Sequence, residues 1–144
     1  MAIYSQTALT TVLTTGVPAW DVKASSVNSP RVMEIGLSLG AATASTYGLG
    51  RPANDGSVAQ TTPVLLNAEN PNDPASQTGT AVAWGTAPTI PTIFLRRVAT
   101  VAAITGGVLW TFPRGLACAV SKGLVVWNLA TNSASLHVWI VVDE

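Results

Sequence analysis

The chain has 144 residues, which is the usual length of one folded domain. Apolar residues make up 48% of it and charged residues only 10%, a composition that excludes an intrinsically disordered chain. Seven basic and seven acidic residues give a net charge of +0, so the basic field that gathers phosphates is missing and we expect no nucleic-acid partner. A surface with so few charges protects poorly against association, which favours a protein that assembles with other subunits.

The cysteine content and the first residues of the sequence indicate the cellular compartment in which the chain folds. Cys118 is the single cysteine, so the sequence excludes an internal disulfide and a multi-cysteine metal site. Its neighbours are apolar, which predicts a small packing residue. The first residues lack the basic and apolar regions of a secretory signal, so we expect synthesis and folding in the cytoplasm. Residues 98–113 carry no basic or acidic side chain, but they are fewer than the roughly 20 that cross a bilayer, so no membrane span is predicted.

Apolar residues recur at every second position far more often than at every third or fourth, which predicts a mostly β fold. In the segment 31–39, the predicted buried face comprises Met33, Ile35, Leu37 and Leu39, and the opposite face comprises Val32, Glu34, Gly36 and Ser38. Two loops follow, at 50–56 and 67–79, and the second is the predicted mobile or partner-facing surface. Nine prolines spread along the chain leave few windows for a long helix.

The C-terminal third continues the β pattern. Alternation returns at Val108, Trp110 and Phe112. The segment 124–129 is apolar on both faces, as in a central strand between two layers. Residues 136–142 alternate again, and the polar stretch at 130–135 has the length and composition of a hairpin connection. The prediction is a single-domain, all-β, antiparallel β-sandwich, jelly-roll-like, over residues 18–144, with an extended N-terminal arm at residues 1–17.

A search for catalytic chemistry returns little. His137 is the only histidine and lies within a strand pattern, and the chain has no Gly-x-Ser-x-Gly elbow to supply a nucleophile. The carboxylates are scattered over loops and chain ends, where most such residues keep a protein soluble. We therefore expect a protein that is not an enzyme, with no catalytic residue, no metal site and no cofactor.

Five tryptophans are many for this length. Trp110, Trp127 and Trp139 fall on predicted strands and are interpreted as core residues. Trp20 and Trp84 lie among proline, glycine and alanine, so packing within the chain, contact with another subunit and stacking on carbohydrate all remain open for them. The adjacent pair Arg96 and Arg97 is predicted to point to opposite faces of a strand.

Several short segments of the sequence resemble small virion proteins encoded by tailed bacteriophages. The resemblance covers roughly residues 30 to 144. The segments that carry it are 30–37, Tyr47-Gly48-Leu49-Gly50-Arg51-Pro52, Ala83-Trp84-Gly85-Thr86-Ala87-Pro88, Phe94-Leu95-Arg96-Arg97, Trp110-Thr111-Phe112-Pro113-Arg114-Gly115 and Leu124-Val125-Val126-Trp127-Asn128-Leu129-Ala130-Thr131-Asn132. Proteins of that kind are often decoration or cement subunits, frequently trimers of β-sandwich or jelly-roll domains on the capsid lattice. The resemblance implies a homo-oligomer that binds the major capsid protein at the capsid surface of the virion. No residue role transfers from it.

Contact area alone can drive such a function, because a cement protein buries surface against several subunits at once. The expected partner-interface residues are Tyr4, Trp20, Arg51, Trp84, Arg96 and Arg97. The uncharged N-terminal arm is expected to reach neighbouring subunits. The alternative function is a receptor-binding or carbohydrate-binding β module of the phage tail or capsid surface, with Trp20 and Trp84 in its binding loops.

Overall fold

A computed structural model describes residues 2–11, 13–58, 64–104, 106–131 and 133–144. Within these ranges the chain forms strands and no helix. The strands are β1 (Ile3–Leu9), β2 (Pro18–Lys23), β3 (Arg31–Leu39), β4 (Ser45–Gly50), β5 (Ser57–Val58), β6 (Val64–Leu65), β7 (Asn67–Ala68), β8 (Gly79–Ala81), β9 (Trp84–Thr86), β10 (Arg96–Thr100), β11 (Gly107–Ala117), β12 (Gly123–Asn128) and β13 (Leu136–Asp143). The predicted all-β class is confirmed.

Two antiparallel sheets form a β-sandwich. The first sheet has the order β11-β3-β13-β1-β7 and the second has the order β10-β4-β12-β2-β8-β6. Inward side chains of both sheets join one hydrophobic core, for example Ile35 and Ile140 from the first sheet and Leu49 and Val126 from the second. A separate two-stranded sheet pairs β5 with β9. The sandwich holds because each long strand has one apolar face to bury.

Apart from β4 and β10, which pair with each other, successive long strands lie in different sheets. β1, β3, β11 and β13 belong to the first sheet, whereas β2, β4, β10 and β12 belong to the second. The prediction of a hairpin across 130–135 is therefore wrong, because β12 and β13 do not pair and the connection passes from one sheet to the other. Composition identified a turn there but could not show which sheet the chain would enter next.

Two predicted strands match the structure closely. All six residues of β12 are buried, as expected of a central strand, and β12 lies between β4 and β2. In β3, Ile35, Leu37 and Leu39 are buried as predicted, but Val32 is buried as well and Met33 is only partly so. The reason is a bulge: Glu34 pairs with Val141 and Val32 pairs with Val142, so Met33 is an extra residue and the alternation reverses beyond it.

The structure does not confirm a separate N-terminal arm. β1 pairs with β13 over seven consecutive residues, from Ile3 opposite Asp143 to Leu9 opposite His137. On its other side β1 pairs with the short strand β7. Uncharged threonine-rich sequence suggested an arm, but this sequence forms a strand in which Ser5 and Thr7 point outward and Tyr4 is inward and buried. Residues 3–9 are thus an integral part of the first sheet.

Residues 84–95, called here the covering segment, lie over the outer side of the second sheet. A Cβ atom at Gly48 would lie 2.7 Å from Cδ1 of Phe94, and one at Gly50 would lie 2.8 Å from Cγ of Pro91. Glycine at both positions therefore lets Phe94 and Pro91 approach the sheet backbone. The strand residues beneath, including Trp127 opposite Gly48, are buried on this side too. The second sheet is consequently covered on both sides, whereas the first sheet leaves an outer face in contact with solvent.

Candidate functional site

The outer face of the first sheet carries a partly buried tryptophan, Trp139. Pairing registers place Thr7, Trp139, Gly36 and Leu109 in one row across four strands. A Cβ atom at Gly36 would overlap Cε2, Cζ2 and Cδ2 of Trp139, so the indole lies directly over the glycine. Leu109 beside it is 51% exposed. We call the outward residues Thr7, Glu34, Gly36, Leu109, His137 and Trp139 the Trp139 face.

A hydrogen bond fixes the indole on this face. Nε1 of Trp139 donates to Oε1 of Glu34 at 2.9 Å. The interpretation of Trp139 as a core residue is therefore wrong: it has the outward parity of β13, and its side chain is only partly buried. A signal for this was present in the sequence, because Glu34 and Gly36 share the polar parity of β3 and His137 shares the parity of Trp139.

A cavity of about 490 Å³ opens where the loops after β4 and β11 meet. Its lining includes Ser29, Arg51, Asp55, Ala117 and Lys122, and we call it the Arg51 pocket. The guanidinium of Arg51 donates to the carbonyl of Ala117 at 2.9 Å, and Nζ of Lys122 donates to Oδ2 of Asp55 at 2.9 Å. Arg51 therefore lies at the surface, as predicted for a partner contact, although its guanidinium is already engaged within the chain.

Cys118 lies beside the Arg51 pocket and is fully buried. Burial raises the pKa of its thiol to about 12, an effect that the nearby Arg51 charge reduces only in part. A thiol with so high a pKa stays protonated at neutral pH and is a poor nucleophile. Its location agrees with the prediction of a packing residue.

The open edge of the second sheet carries a group of exposed apolar side chains. β10 is the edge strand there, and the segments around it expose Ile90, Ile93, Leu95, Val101 and Ile104. We call β10 and these residues the β10 margin. Ile93 is 81% exposed and Val101 is 71% exposed. Large apolar side chains so exposed, and so close together in the chain, are typical of an interaction surface.

The two arginines of β10 lie on this margin. The guanidinium of Arg96 is 5.5 Å from the ring centroid of Phe112 in the other sheet, and that of Arg97 is 5.7 Å from the ring centroid of Phe94 in the covering segment. The two side chains thus lie on opposite faces of β10, as predicted. Cation–π contact holds each charge against an apolar surface while both residues remain exposed.

Two residues expected at a partner interface lie inside the domain. Trp20 is not in a loop: it lies within β2 and is 1% exposed, because its inward parity places it in the core. Tyr4 is 2% exposed, and its hydroxyl donates to the carbonyl of Pro74 at 2.9 Å. Neither side chain offers surface to a partner in this structure, so both expectations are corrected.

Trp84 lies in β9 at the start of the covering segment and is half-buried. Its Nε1 donates to Oδ2 of Asp21 at 2.8 Å, while the backbone N–H of Ala81 donates to Oδ1 at 2.9 Å. Burial raises the pKa of Asp21 to about 6, although both hydrogen bonds and the charge of Lys23 act to lower it. Trp84 therefore holds the covering segment to β2.

The predicted partner-facing loop is tied to the C-terminal strand end. Oε2 of Glu144 accepts a hydrogen bond from the hydroxyl of Ser76 at 2.5 Å, and Oε1 accepts one from the backbone N–H of Gln77 at 2.8 Å. The side-chain amide of Asn28 also donates to Oε1. One carboxylate thus joins three segments of the chain.

In the described part of the chain, no three side chains of the histidine, cysteine or carboxylate type come together to hold a metal ion. His137 is exposed on the Trp139 face, opposite Ser38. No helix among the described residues is long and apolar enough to cross a membrane.

Comparison of the chain with protein-family models and with curated proteins found no match.

Proposed function

We propose that this protein is a structural virion protein of a tailed bacteriophage that binds and stabilises the capsid as a decoration or cement subunit. The observation that carries the proposal is the β10 margin, where Ile93, Val101 and Ile104 are each more than half exposed beside an unpaired strand edge. Isolated exposed apolar residues are common, but a group along one edge is costly in a free monomer and useful in an assembly.

The chemistry of the margin favours a specific partner over unspecific aggregation. An open strand edge can pair with any other edge, and charged side chains are the usual protection against this. Arg96 and Arg97 supply that protection on β10, and their stacking on Phe112 and Phe94 presents two positive charges among apolar groups. A capsid surface with acidic groups around an apolar patch would complement the margin in both respects.

The strand order supports the same proposal at the level of architecture. In the first sheet the four long strands follow the order β1-β13-β3-β11. In the second sheet the order is β2-β12-β4-β10, so each of these strands occupies the same place as its chain neighbour in the first sheet. We propose that this arrangement is a jelly roll, since two interleaved Greek keys give that order. It is the type of domain that the phage resemblance implies.

The proposed subunit works as a homo-oligomer, with a trimer favoured, on the capsid surface of a virion assembled in the host cytoplasm. Each subunit contributes a modest contact to the major capsid protein. Joining several such contacts raises the overall affinity without any new contact, because later contacts form within one complex.

The test uses purified particles and two charge substitutions. Ile93→Lys and Ile104→Lys place a charge on the β10 margin, whereas Val27→Lys is the matched control, since Val27 is 76% exposed outside the margin. We expect the unsubstituted protein and the control to be retained on particles washed in high salt and to sediment as an oligomer. Both margin variants should be released while melting at an unchanged temperature. A monomer that is absent from virions would refute the proposal.

A further inference from the structure

The Trp139 face has the geometry of a stacking platform. The indole lies over Gly36, because the direction in which a Cβ atom would project there passes through Cε2, Cζ2 and Cδ2 of Trp139. One ring face therefore lies against the sheet backbone and the other faces away from the sheet. A side chain at position 36 would occupy the space that the ring fills, so glycine is required for this arrangement.

The platform is held in one orientation before any ligand arrives. Nε1 of Trp139 is bonded to Oε1 of Glu34, and both residues lie on strands at the centre of the sheet. Little side-chain entropy remains to be lost on binding, which favours even weak ligands. Trp139 is a residue of β13, and β13 is paired along its length with β1 on one side and β3 on the other.

The groups around the ring are small, polar or neutral. Three successive rows of the face contain Leu9, His137, Ser38 and Gly107; Thr7, Trp139, Gly36 and Leu109; and Ser5, Val141, Glu34 and Thr111. Glu34 is the only one of these twelve with a formal charge when His137 is neutral. The next row of the face contains Ile3, Asp143 and Arg31, so two acidic groups stand against one basic group and an anionic ligand would meet a net negative charge. The face therefore fits a neutral ligand rich in hydroxyl groups.

We propose that the Trp139 face binds a neutral carbohydrate, with a pyranose ring stacked on the indole of Trp139. The C–H bonds of a pyranose face carry partial positive charge and complement the negative face of the aromatic ring. The sugar hydroxyls then lie beside Glu34 and His137, where a carboxylate oxygen accepts and an imidazole accepts or donates hydrogen bonds. Stacking on the indole and hydrogen bonds to Glu34 and His137 together suit a saccharide.

A second copy of the chain fits this face less well. A stable protein interface buries about 800 Å² on each partner around an apolar centre. Here the exposed large apolar residues Ile3, Leu9 and Leu109 stand in separate rows on β1 and β11, and Trp139 is the one large ring between these two strands. The distribution suits single-ring stacking better than a continuous apolar contact.

The test is binding of the full chain to an array of neutral glycans, followed by titration with the best oligosaccharide. We expect saturable binding that shifts the tryptophan fluorescence. Trp139→Ala should lower the association constant roughly tenfold or more, since the stacked ring supplies much of the contact. Trp84→Ala is the matched control, because Trp84 lies in the separate β5–β9 sheet, where it is bonded to Asp21 of β2, and this variant should bind as the parent does.

Two further variants separate position from chemistry. Gly36→Ala puts a methyl group where the indole lies, so it should reduce binding as strongly as Trp139→Ala although Trp139 is present. Glu34→Gln keeps an oxygen that can accept from Nε1 and should retain most of the binding. No signal on any neutral glycan, or equal binding by the parent and Trp139→Ala, overturns the proposal.

A further result would also overturn it: loss of self-association in Trp139→Ala without any glycan binding by the parent would identify a subunit interface. The proposal is independent of the capsid role, because glycan binding and retention on particles are measured on different surfaces and either can fail alone.

Discussion

The indole of Trp84 and the carboxylate of Asp21 are joined by a 2.8 Å hydrogen bond that fastens the covering segment to the second sheet. Asp21 is 4% exposed, and its other oxygen accepts from the backbone of Ala81. One buried carboxylate thus organises two neighbouring strands that come from distant parts of the chain. Its ionisation carries a cost, because burial raises its pKa from 3.8 to about 6.

The first prediction concerns pH. Since the folded pKa of Asp21 lies above the unfolded value, the native state binds more protons between those values, and stability from this group falls as pH rises from about 4 to 6. The full difference is roughly 3 kcal/mol. The charges facing Asp21 are Lys23, which lowers the pKa, and Asp55, which raises it.

Urea denaturation of the parent and of Asp21→Asn at several pH values measures this effect. The difference in unfolding free energy between the two proteins should change by a few kcal/mol between pH 4 and pH 7, with the parent relatively more stable at the acidic end. Asn loses one of the two hydrogen bonds, but that loss is the same at every pH. If the difference in unfolding free energy between the two proteins did not change with pH, folding would not raise the pKa of Asp21 and this prediction would be wrong.

The second prediction concerns two tryptophans of β12 and β13. Trp127 is fully buried, so Trp127→Ala should destabilise the domain by about 3–5 kcal/mol through lost contacts and the cavity that remains. Trp139→Ala removes an outward ring from the same kind of strand and should cost about 1 kcal/mol or less. Thermal melts of both variants check this. Equal losses would mean that the Trp139 face is covered in the native protein.

The third prediction separates the two partners of an ion pair beside the Arg51 pocket. The side chain of Lys122 is 64% exposed and that of Asp55 is 13% exposed. Lys122→Ala should cost less than about 1 kcal/mol, because an exposed charge pair contributes little. Asp55→Ala should cost about 1–3 kcal/mol, because it also leaves the backbone N–H of Gly123 without its 2.9 Å acceptor. Chemical denaturation of the two variants should rank them in this order.

The fourth prediction concerns the N-terminal strand. A flexible arm could be removed without harm to the fold, but residues 3–9 pair with β13 and place Tyr4 in the core. Deleting residues 2–9 should therefore give a protein that melts well below the parent or accumulates as aggregates, since it exposes an edge of β13. A deletion variant that is soluble and equally stable would restore the interpretation as an arm.

Periodicity predicted the long strands β3, β11, β12 and β13, whereas β1 was interpreted as an arm and β2 and β4 were not predicted. The alternation in β3, β11 and β13 follows burial because one side of each strand meets the core, and the apolar run of β12 follows from cover on both sides. Val32 departs from the pattern because a bulge is set by how two strands pair, and one strand's sequence does not contain its partner's register. The crossing at 130–135 escaped prediction for the same reason.

The tryptophans show where local sequence misleads. Surrounding proline and alanine suggested a loop at Trp20. The segment instead forms β2, which pairs with β12 and β8, and the inward parity of Trp20 in this strand makes it a core residue. A strand pattern suggested a core position for Trp139, but no layer of the described structure covers the side of the sheet to which it points. Which face of a sheet meets solvent depends on the position of the covering segment, and that is a property of the whole fold. The β10 margin could be predicted only in part, through Arg96 and Arg97.

The pairing of residue 3 with residue 143 also determines when this protein can fold. The first strand leaves the ribosome before its partner strand exists, and β13 becomes available for pairing only once residue 143 has been made. Contacts between such distant positions form slowly, because the conformational entropy of a long stretch of chain must be lost before these contacts stabilise the fold. The native first sheet should therefore arise only after β13 has left the ribosome, so that the growing chain is exposed to aggregation for an interval in which chaperones can bind it.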